Sequence, residues 1–287
     1  MSDQQLLTVN GVALCVEAFG ERHDPALLLI GGAAMSMDYW DVDFCESLAS
    51  AGRFVIRYDL RDTGRSVSYP AGEPGYTPAD LIDDAIGLLD AVEVRSAHIV
   101  GISMGGGLAQ YIAFLHPDRV ASLTLMSTSP AGPIDDDLPG ISDRLHAHFA
   151  DPTPEPEWTD HDAVVDYLVD DLRAFAGSLP IDEAVVRELV GHVVSRTSNL
   201  ESSLKNHSVV IADDASELPP LQLSTLKTPT LVLHGVDDPL FPIPHGKALA
   251  RAIPGARFAA MDGVGHEVPP RPVWDTVIPE IIRHTGV

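Results

Sequence analysis

The chain has 287 residues, of which 45% are hydrophobic and 21% charged, enough apolar mass to bury a sizeable core and too much for a disordered segment. Its formal net charge of −24 repels phosphate backbones and anionic lipid surfaces, which disfavours nucleic-acid and membrane partners. Two cysteines, Cys15 and Cys45, are too few for a disulfide framework and read as small core residues.

The first residues, Met1 to Gln5, are polar and lack the basic-then-apolar order of a secretion signal, and no apolar run reaches bilayer-spanning length, so a cytoplasmic protein is expected. Residues 6–19 alternate around Asn10-Gly11, a hairpin signature. Continuous apolar runs follow at 26–30, 54–58, 97–100, 122–126, 230–233 and 257–261, several ending in glycine. Runs of this kind fit strands covered on both faces, as in a parallel sheet. Helix-like segments separate them at 38–51, 77–92, 106–116, 243–253 and 272–284; the second opens with Thr77-Pro78-Ala79-Asp80, a capping signal. The alternation predicts an α/β fold with a mostly parallel sheet of about eight strands and helices on both faces.

Between 129 and 227 the alternation stops. This stretch has helix-like segments near 162–176 and 182–194 and proline-rich patches, and its part from 133 to 171 is crowded with aspartate and glutamate (Asp135, Asp136 and Asp137 among them), with Arg144 as the one cation. The expected organisation is therefore an α/β core of residues 1–129 and 228–287 with a helical cap inserted at 130–227.

Gly101-Ile102-Ser103-Met104-Gly105 directly follows a buried-strand pattern and precedes a helix pattern, the context a G-x-S-x-G nucleophile turn requires. A sharp turn there exposes a serine hydroxyl at the carboxyl end of the sheet, and flanking glycines make room for it. A serine needs a base, and the base needs an orienting carboxylate. The strand at 230–233 runs into Asp237-Asp238-Pro239, from which Asp238 is the expected acid and Asp237 the alternative. Met261-Asp262-Gly263-Val264-Gly265-His266 places a histidine after a strand end and two glycines, making His266 the expected base among twelve histidines. His234 reads as a core residue and His116 as a helix end. His146 and His148 lack a further ligand cluster, so no metal site is expected.

Acyl transfer creates an oxyanion that preorganised amides stabilise. The expected donors are the amides of Met104 and of Ala33 in the loop Gly31-Gly32-Ala33-Ala34-Met35, with Gly32 the alternative to Ala33. Met35, Trp40, Leu240 and Phe241, beside these loops, are the expected apolar pocket.

Taken in order, Gly31-Gly32, the segment 57–66, the segment 101–105, Asp238-Pro239 and Gly265-His266 resemble the α/β-hydrolase superfamily almost end to end, from about residue 6 to 282. Within it, the segment 57–66, Ile243-Pro244-His245-Gly246-Lys247 and Gly263-Val264-Gly265-His266 are similar to the branch containing aclacinomycin methylesterase. The resemblance implies hydrolysis of a carboxylic ester, no cofactor, and a helical cap forming the substrate pocket. Ala33-Ala34 and the cap depart from that branch. The Asp and Arg residues of 57–66 are expected to pin a loop near the site.

The expected activity is cleavage of a hydrophobic small-molecule carboxylic ester, a methyl ester or lactone, through Ser103, His266 and Asp238. The same constellation serves cofactor-free perhydrolases, haloperoxidases and carbon–carbon bond hydrolases, and the fold alone also serves ligand-binding receptors.

Overall fold

The structure is a computed structural model that describes residues 4–134, 137–212 and 218–286. The first three residues of the chain, and Asp135 and Asp136 of the acidic run, lie outside the described residues.

Eight strands form one sheet: β1 (Gln5–Val9), β2 (Val12–Phe19), β3 (Ala26–Ile30), β4 (Phe54–Tyr58), β5 (Ala97–Ile102), β6 (Val120–Met126), β7 (Thr230–Gly235) and β8 (Arg257–Met261). Their order is β1-β2-β4-β3-β5-β6-β7-β8. β2 is antiparallel to both β1 and β4, and every other pairing is parallel. The hairpin turns on Asn10 and Gly11, both at positive φ (51° and 81°), the conformation that selects Asn-Gly.

Nine helices are described: α1 (Val42–Ser50), α2 (Pro78–Ala91), α3 (Met104–Leu115), α4 (Asp143–Ala150), α5 (His161–Phe175), α6 (Glu183–Arg196), α7 (Leu200–Ala212), α8 (Pro244–Ala252) and α9 (Trp274–Thr285). Side chains alternate across the strands. Leu28, Ile30, Ile99, Leu123, Leu125 and Val232 face a core closed by α2, α3 and α8. Leu27, Leu29, Val100, Ile102, Leu231 and Leu233 face the other core, closed by α1 and α9. Cys15 and Cys45 are buried, free thiols, each raised in pKa by burial; that of Cys15 stands at about 11.

Two of the boundaries that differ from the sequence reading lie beside the site. The helix expected at 38–51 is a 3₁₀ turn, Met37–Tyr39, followed by α1, because Asp41 caps α1 by accepting from the Asp43 amide. α3 starts at Met104 rather than at 106, because the glycines after Ser103 are helical and give the close approach to the sheet: a Cβ on Gly105 would stand 2.4 Å from the Gly31 carbonyl oxygen.

Helices α4 to α7 fall between β6 and β7. α5 and α6 share a small apolar core of Val164, Leu168, Val169, Val190 and Val194, separate from the two sheet cores. The segment 57–66 is buried except at Arg65 and is tied down by its polar side chains. Arg57 pairs with Glu17 (2.5 Å), Arg61 with Asp84 (2.6 Å), and Asp59 accepts from the amides of Met37 and Arg65 (2.9 Å each). From α6, Arg196 reaches the same carboxylate through two nitrogens (2.7 and 2.8 Å) and also binds Asp38.

Candidate active site

β5 ends in the turn that carries Ser103. Ser103 has φ 53° and ψ −120°, a conformation of order 1–3 kcal/mol above the relaxed chain for a residue with a Cβ. The surroundings hold it there: its amide donates to the Met126 carbonyl (3.0 Å), and its own carbonyl accepts from the Thr128 hydroxyl (2.8 Å). Gly101 is required beside it, since a Cβ at that position would meet the Gly105 carbonyl oxygen at 2.3 Å.

The loop after β8 brings His266 alongside. Its amide donates to the Phe175 carbonyl (2.8 Å), and its ring sits between Phe241 (centroids 5.4 Å apart, edge-on) and Phe175 (6.1 Å). Nε2 lies 2.8 Å from Ser103 Oγ, and Nδ1 lies 2.9 Å from Asp238 Oδ2. Asp238 is 4% exposed, and its Oδ1 accepts from the amides of Leu240 (2.9 Å) and Phe241 (2.8 Å), so both oxygens are engaged. This geometry suits an Nδ1–H tautomer whose free Nε2 receives the serine proton. Asp237 points elsewhere, accepting from the Ser178 amide and hydroxyl at the surface.

The remaining histidines sort by their contacts. His234 is buried, as its sequence position suggests, with Nε2 2.7 Å from the Phe241 carbonyl, and burial lowers its pKa, keeping it neutral beside Asp238. His116 ends α3. His148 binds Asp171 (2.9 Å). Among the described residues no cluster of three or more metal-ligating side chains occurs. Glu267, next in sequence to the candidate base, accepts from the amides of Gly265 and Gly177 (3.2 Å each); burial raises its pKa, against the pull of those two donors.

In the loop after β3, the Gly32 amide is turned toward Met35 Sδ (3.3 Å) and the Ala34 amide donates to His207 Nδ1 (2.8 Å). Ala33 lies between them, and a Cβ on Gly32 would come within 3.2 Å of Ser103 Cβ, so this loop passes directly over the serine. Met104 is the first residue of α3, where backbone amides have no intrahelical acceptor and the helix dipole is positive.

A cavity of about 540 Å³ opens against His266. Its walls are Leu172, Val186 and Leu189 from α5 and α6, and Met35, Phe44 and Trp274 from the sheet side. Of the expected pocket residues, Met35 lines it. Trp40 does not: it is fully buried, stacked on Phe44 in the core under α1. Leu240 and Phe241 are also absent from the walls, and Phe241 instead packs against the imidazoles of His266 and His245. The resemblance implied a helical cap forming the pocket, but sequence reading named no wall residue from α5 and α6, because their apolar spacing also forms the small core those helices share. It missed His207 too, although Ser202, Ser203, Asn206 and His207 form a polar stripe at helical spacing on α7 that was there to be read.

A strand-turn-helix serine, an acid after β7 and a histidine after β8, in that chain order, define the α/β-hydrolase class. Residues 25–269 match the alpha/beta hydrolase fold family, and the chain belongs to it. Its similarity is extensive to the rhodomycin D methylesterases DauP of Streptomyces sp. strain C5 (32% identity, 98% of this chain and 97% of that protein) and DnrP of Streptomyces peucetius (31%, with the same coverage). Among solved structures, it superposes on a hydrolase from Pseudomonas aeruginosa PA01 (TM-score 0.75, 24% identity, 99% of each chain). It also superposes on the enol-lactonase from Burkholderia xenovorans LB400 (TM-score 0.71, 24% identity, 98% of this chain and 99% of that one), and both likenesses are of fold.

Proposed function

We propose that the protein is a serine hydrolase that cleaves the carboxylic ester of a hydrophobic small molecule, a methyl ester or lactone, without a cofactor. The observation that carries this reading is the unbroken hydrogen-bond chain from Ser103 Oγ through His266 to Asp238, at 2.8 and 2.9 Å. The likeness over nearly the whole chain to two methylesterases supports the ester as substrate class.

In this mechanism Ser103 Oγ attacks the ester carbonyl as His266 Nε2 takes its proton, and Asp238 stabilises the resulting imidazolium. The amides of Ala33 and Met104 receive the oxyanion. As the tetrahedral species collapses, the carbon–oxygen bond to the alcohol breaks and His266 returns the proton to the leaving oxygen. Water, deprotonated by His266, then hydrolyses the acyl-enzyme.

The insertion at 130–227 acts as a cap, with α5 and α6 roofing the cavity that receives the substrate's apolar body, on a core of 1–129 and 228–287. No helix of the described residues is long and apolar enough to cross a membrane. The reading includes a cytoplasmic enzyme acting on small molecules, and the net charge of −24 disfavours lipid surfaces and nucleic acid as partners.

Replacing Ser103 by alanine is expected to abolish cleavage of a p-nitrophenyl ester and labelling by a fluorophosphonate. Retention of either activity by the variant sinks the assignment. Presenting the wild type with carbon–carbon diketone substrates, and with peroxide plus short acids, separates esterase action from the other chemistries of this constellation, and absence of fluorophosphonate labelling in the wild type would point to a receptor.

A further inference from the structure

The loop after β3 makes a tight turn. The Met35 amide donates to the Gly32 carbonyl (3.2 Å), with Ala33 and Ala34 at its two central positions. Ala34 has φ 59°, whereas Ala33 has no positive φ. This is the type II pattern, whose third position strongly favours glycine. An alanine there is disfavoured by its own Cβ, so some other part of the molecule must hold it.

That part is α7. Ala34 is grasped at both ends of its backbone: its N–H donates to His207 Nδ1 (2.8 Å), and its carbonyl accepts from Ser203 Oγ (3.4 Å). His207 is itself fixed. It is 0% exposed, and its Nε2–H donates to the Arg61 carbonyl (2.9 Å). Accepting at Nδ1 and donating at Nε2 define a single neutral tautomer, and burial lowers the ring's pKa, in keeping with that state. The neighbouring Asn206 locks α7 to the sheet-side loops, accepting from the Gly72 amide (2.7 Å) and donating to Asp62 (2.9 Å).

We infer that His207 is a positioning residue for the oxyanion site: by accepting the Ala34 N–H it holds the strained turn and thereby aims the preceding Ala33 N–H at the substrate oxygen. The inference rests on the reading of Ala33 as an oxyanion donor, and it couples the insertion to the chemistry through a helix that does not line the cavity. It also explains how this chain does without glycine at the third position of the turn.

The experiment uses two substitutions that split the imidazole's two bonds. His207→Gln keeps a donor for the Arg61 carbonyl and removes the Nδ1 acceptor, whereas His207→Asn keeps an acceptor at the Nδ1 position and loses the donor. With a p-nitrophenyl ester, H207Q is expected to lower kcat about 10- to 100-fold with KM changed less than about threefold, because a misaimed oxyanion donor acts on the transition state. H207N is expected to retain most of kcat, and adding Ala34→Gly to H207Q to restore part of it, since glycine takes positive φ unaided. Equal losses in H207Q and H207N, a loss confined to KM, or no recovery with A34G would overturn the inference. Should the variants not fold, ring ¹⁵N shifts of the wild-type protein decide: unprotonated Nδ1 and protonated Nε2 at His207 are expected, and a protonated Nδ1 overturns it. An inactive S103A beside an H207Q of unchanged kcat would defeat only the role of His207, whereas an active S103A would defeat the reading of the whole site.

Discussion

At the scale of single residues, the arrangement around His266 makes separable demands on its neighbours. Asp238 fixes the imidazole tautomer through Nδ1. Asp238→Asn keeps the shape but offers the ring the wrong hydrogen-bonding group, and kcat is expected to fall by about 10³- to 10⁴-fold, as such changes do in serine hydrolases generally. Asp237→Asn, one residue away, loses only surface bonds to Ser178, and its kcat is expected to stay within about threefold of wild type. Steady-state kinetics on the pair distinguishes the two aspartates, and comparable losses in both would remove Asp238 from its role. The glycines of the turn are equally specific. Gly105→Ala would press a Cβ against the Gly31 and Ile30 carbonyls at 2.4 and 2.6 Å, so the loop over Ser103 would have to move.

At the scale of elements, α6 is clamped to the sheet side by one guanidinium. Arg196 is shared by Asp38 and Asp59, which are 3% and 0% exposed in their side chains, and Asp59 also organises the turn that carries Met37. Removing the cation leaves two buried carboxylates without their guanidinium partner. Arg196→Met is therefore expected to destabilise the protein by about 3–5 kcal/mol, read as a lower midpoint in urea unfolding. Because α6 also supplies Val186 and Leu189 to the cavity wall, the same variant is expected to raise KM for bulky esters more than for acetyl esters. Filling the cavity tests the wall directly. Val186→Trp is expected to discriminate against large acyl or alcohol groups while sparing small ones, and a uniform effect on all esters would place substrate elsewhere.

At the scale of the whole molecule, charge and buried histidine set the response to pH. His98 is half-buried in β5 with Nδ1 2.8 Å from Ser122 Oγ; burial, with Arg53 and His284 nearby, pulls its pKa down to about 4. Its folded pKa thus lies below the unfolded value of about 6.5. Between those values the unfolded chain binds the extra proton, so stability rises with pH across the window and is lost as pH falls from about 6.5 towards 4. Thermal melts are expected to show a shallower acid loss in His98→Gln than in the wild type. Acidification also relieves the repulsion of a net charge of −24, which works in the opposite direction and is common to both proteins, so the difference between them isolates the histidine.

Much of the architecture was legible in the chain because parallel strands covered on both faces need continuous apolar runs, and each of the six runs is a strand. The strand-to-helix serine, the aspartate pair before Pro239 and the histidine after two glycines were legible because they depend on local backbone geometry, which nearby residues dictate. Asp238, expected over Asp237 from its place before Pro239, is the member that faces the imidazole, while the path of the loop after β7 turns Asp237 to Ser178. Trp40 was assigned to the pocket from its place beside the loop, yet it belongs to the core, because α9 closes over Phe44 and the indole lies beneath. The grip of His207 on Ala34 joins residues 173 positions apart in sequence, and the cavity wall joins residues as distant as Met35 and Trp274. The local sequence determined which segments turn, pair and bend; only the long-range contacts of α5, α6 and α7 decided what lines the cavity beside His266 and what holds the loop after β3, because side-chain contacts between distant segments are set by burial and polar satisfaction across the whole fold.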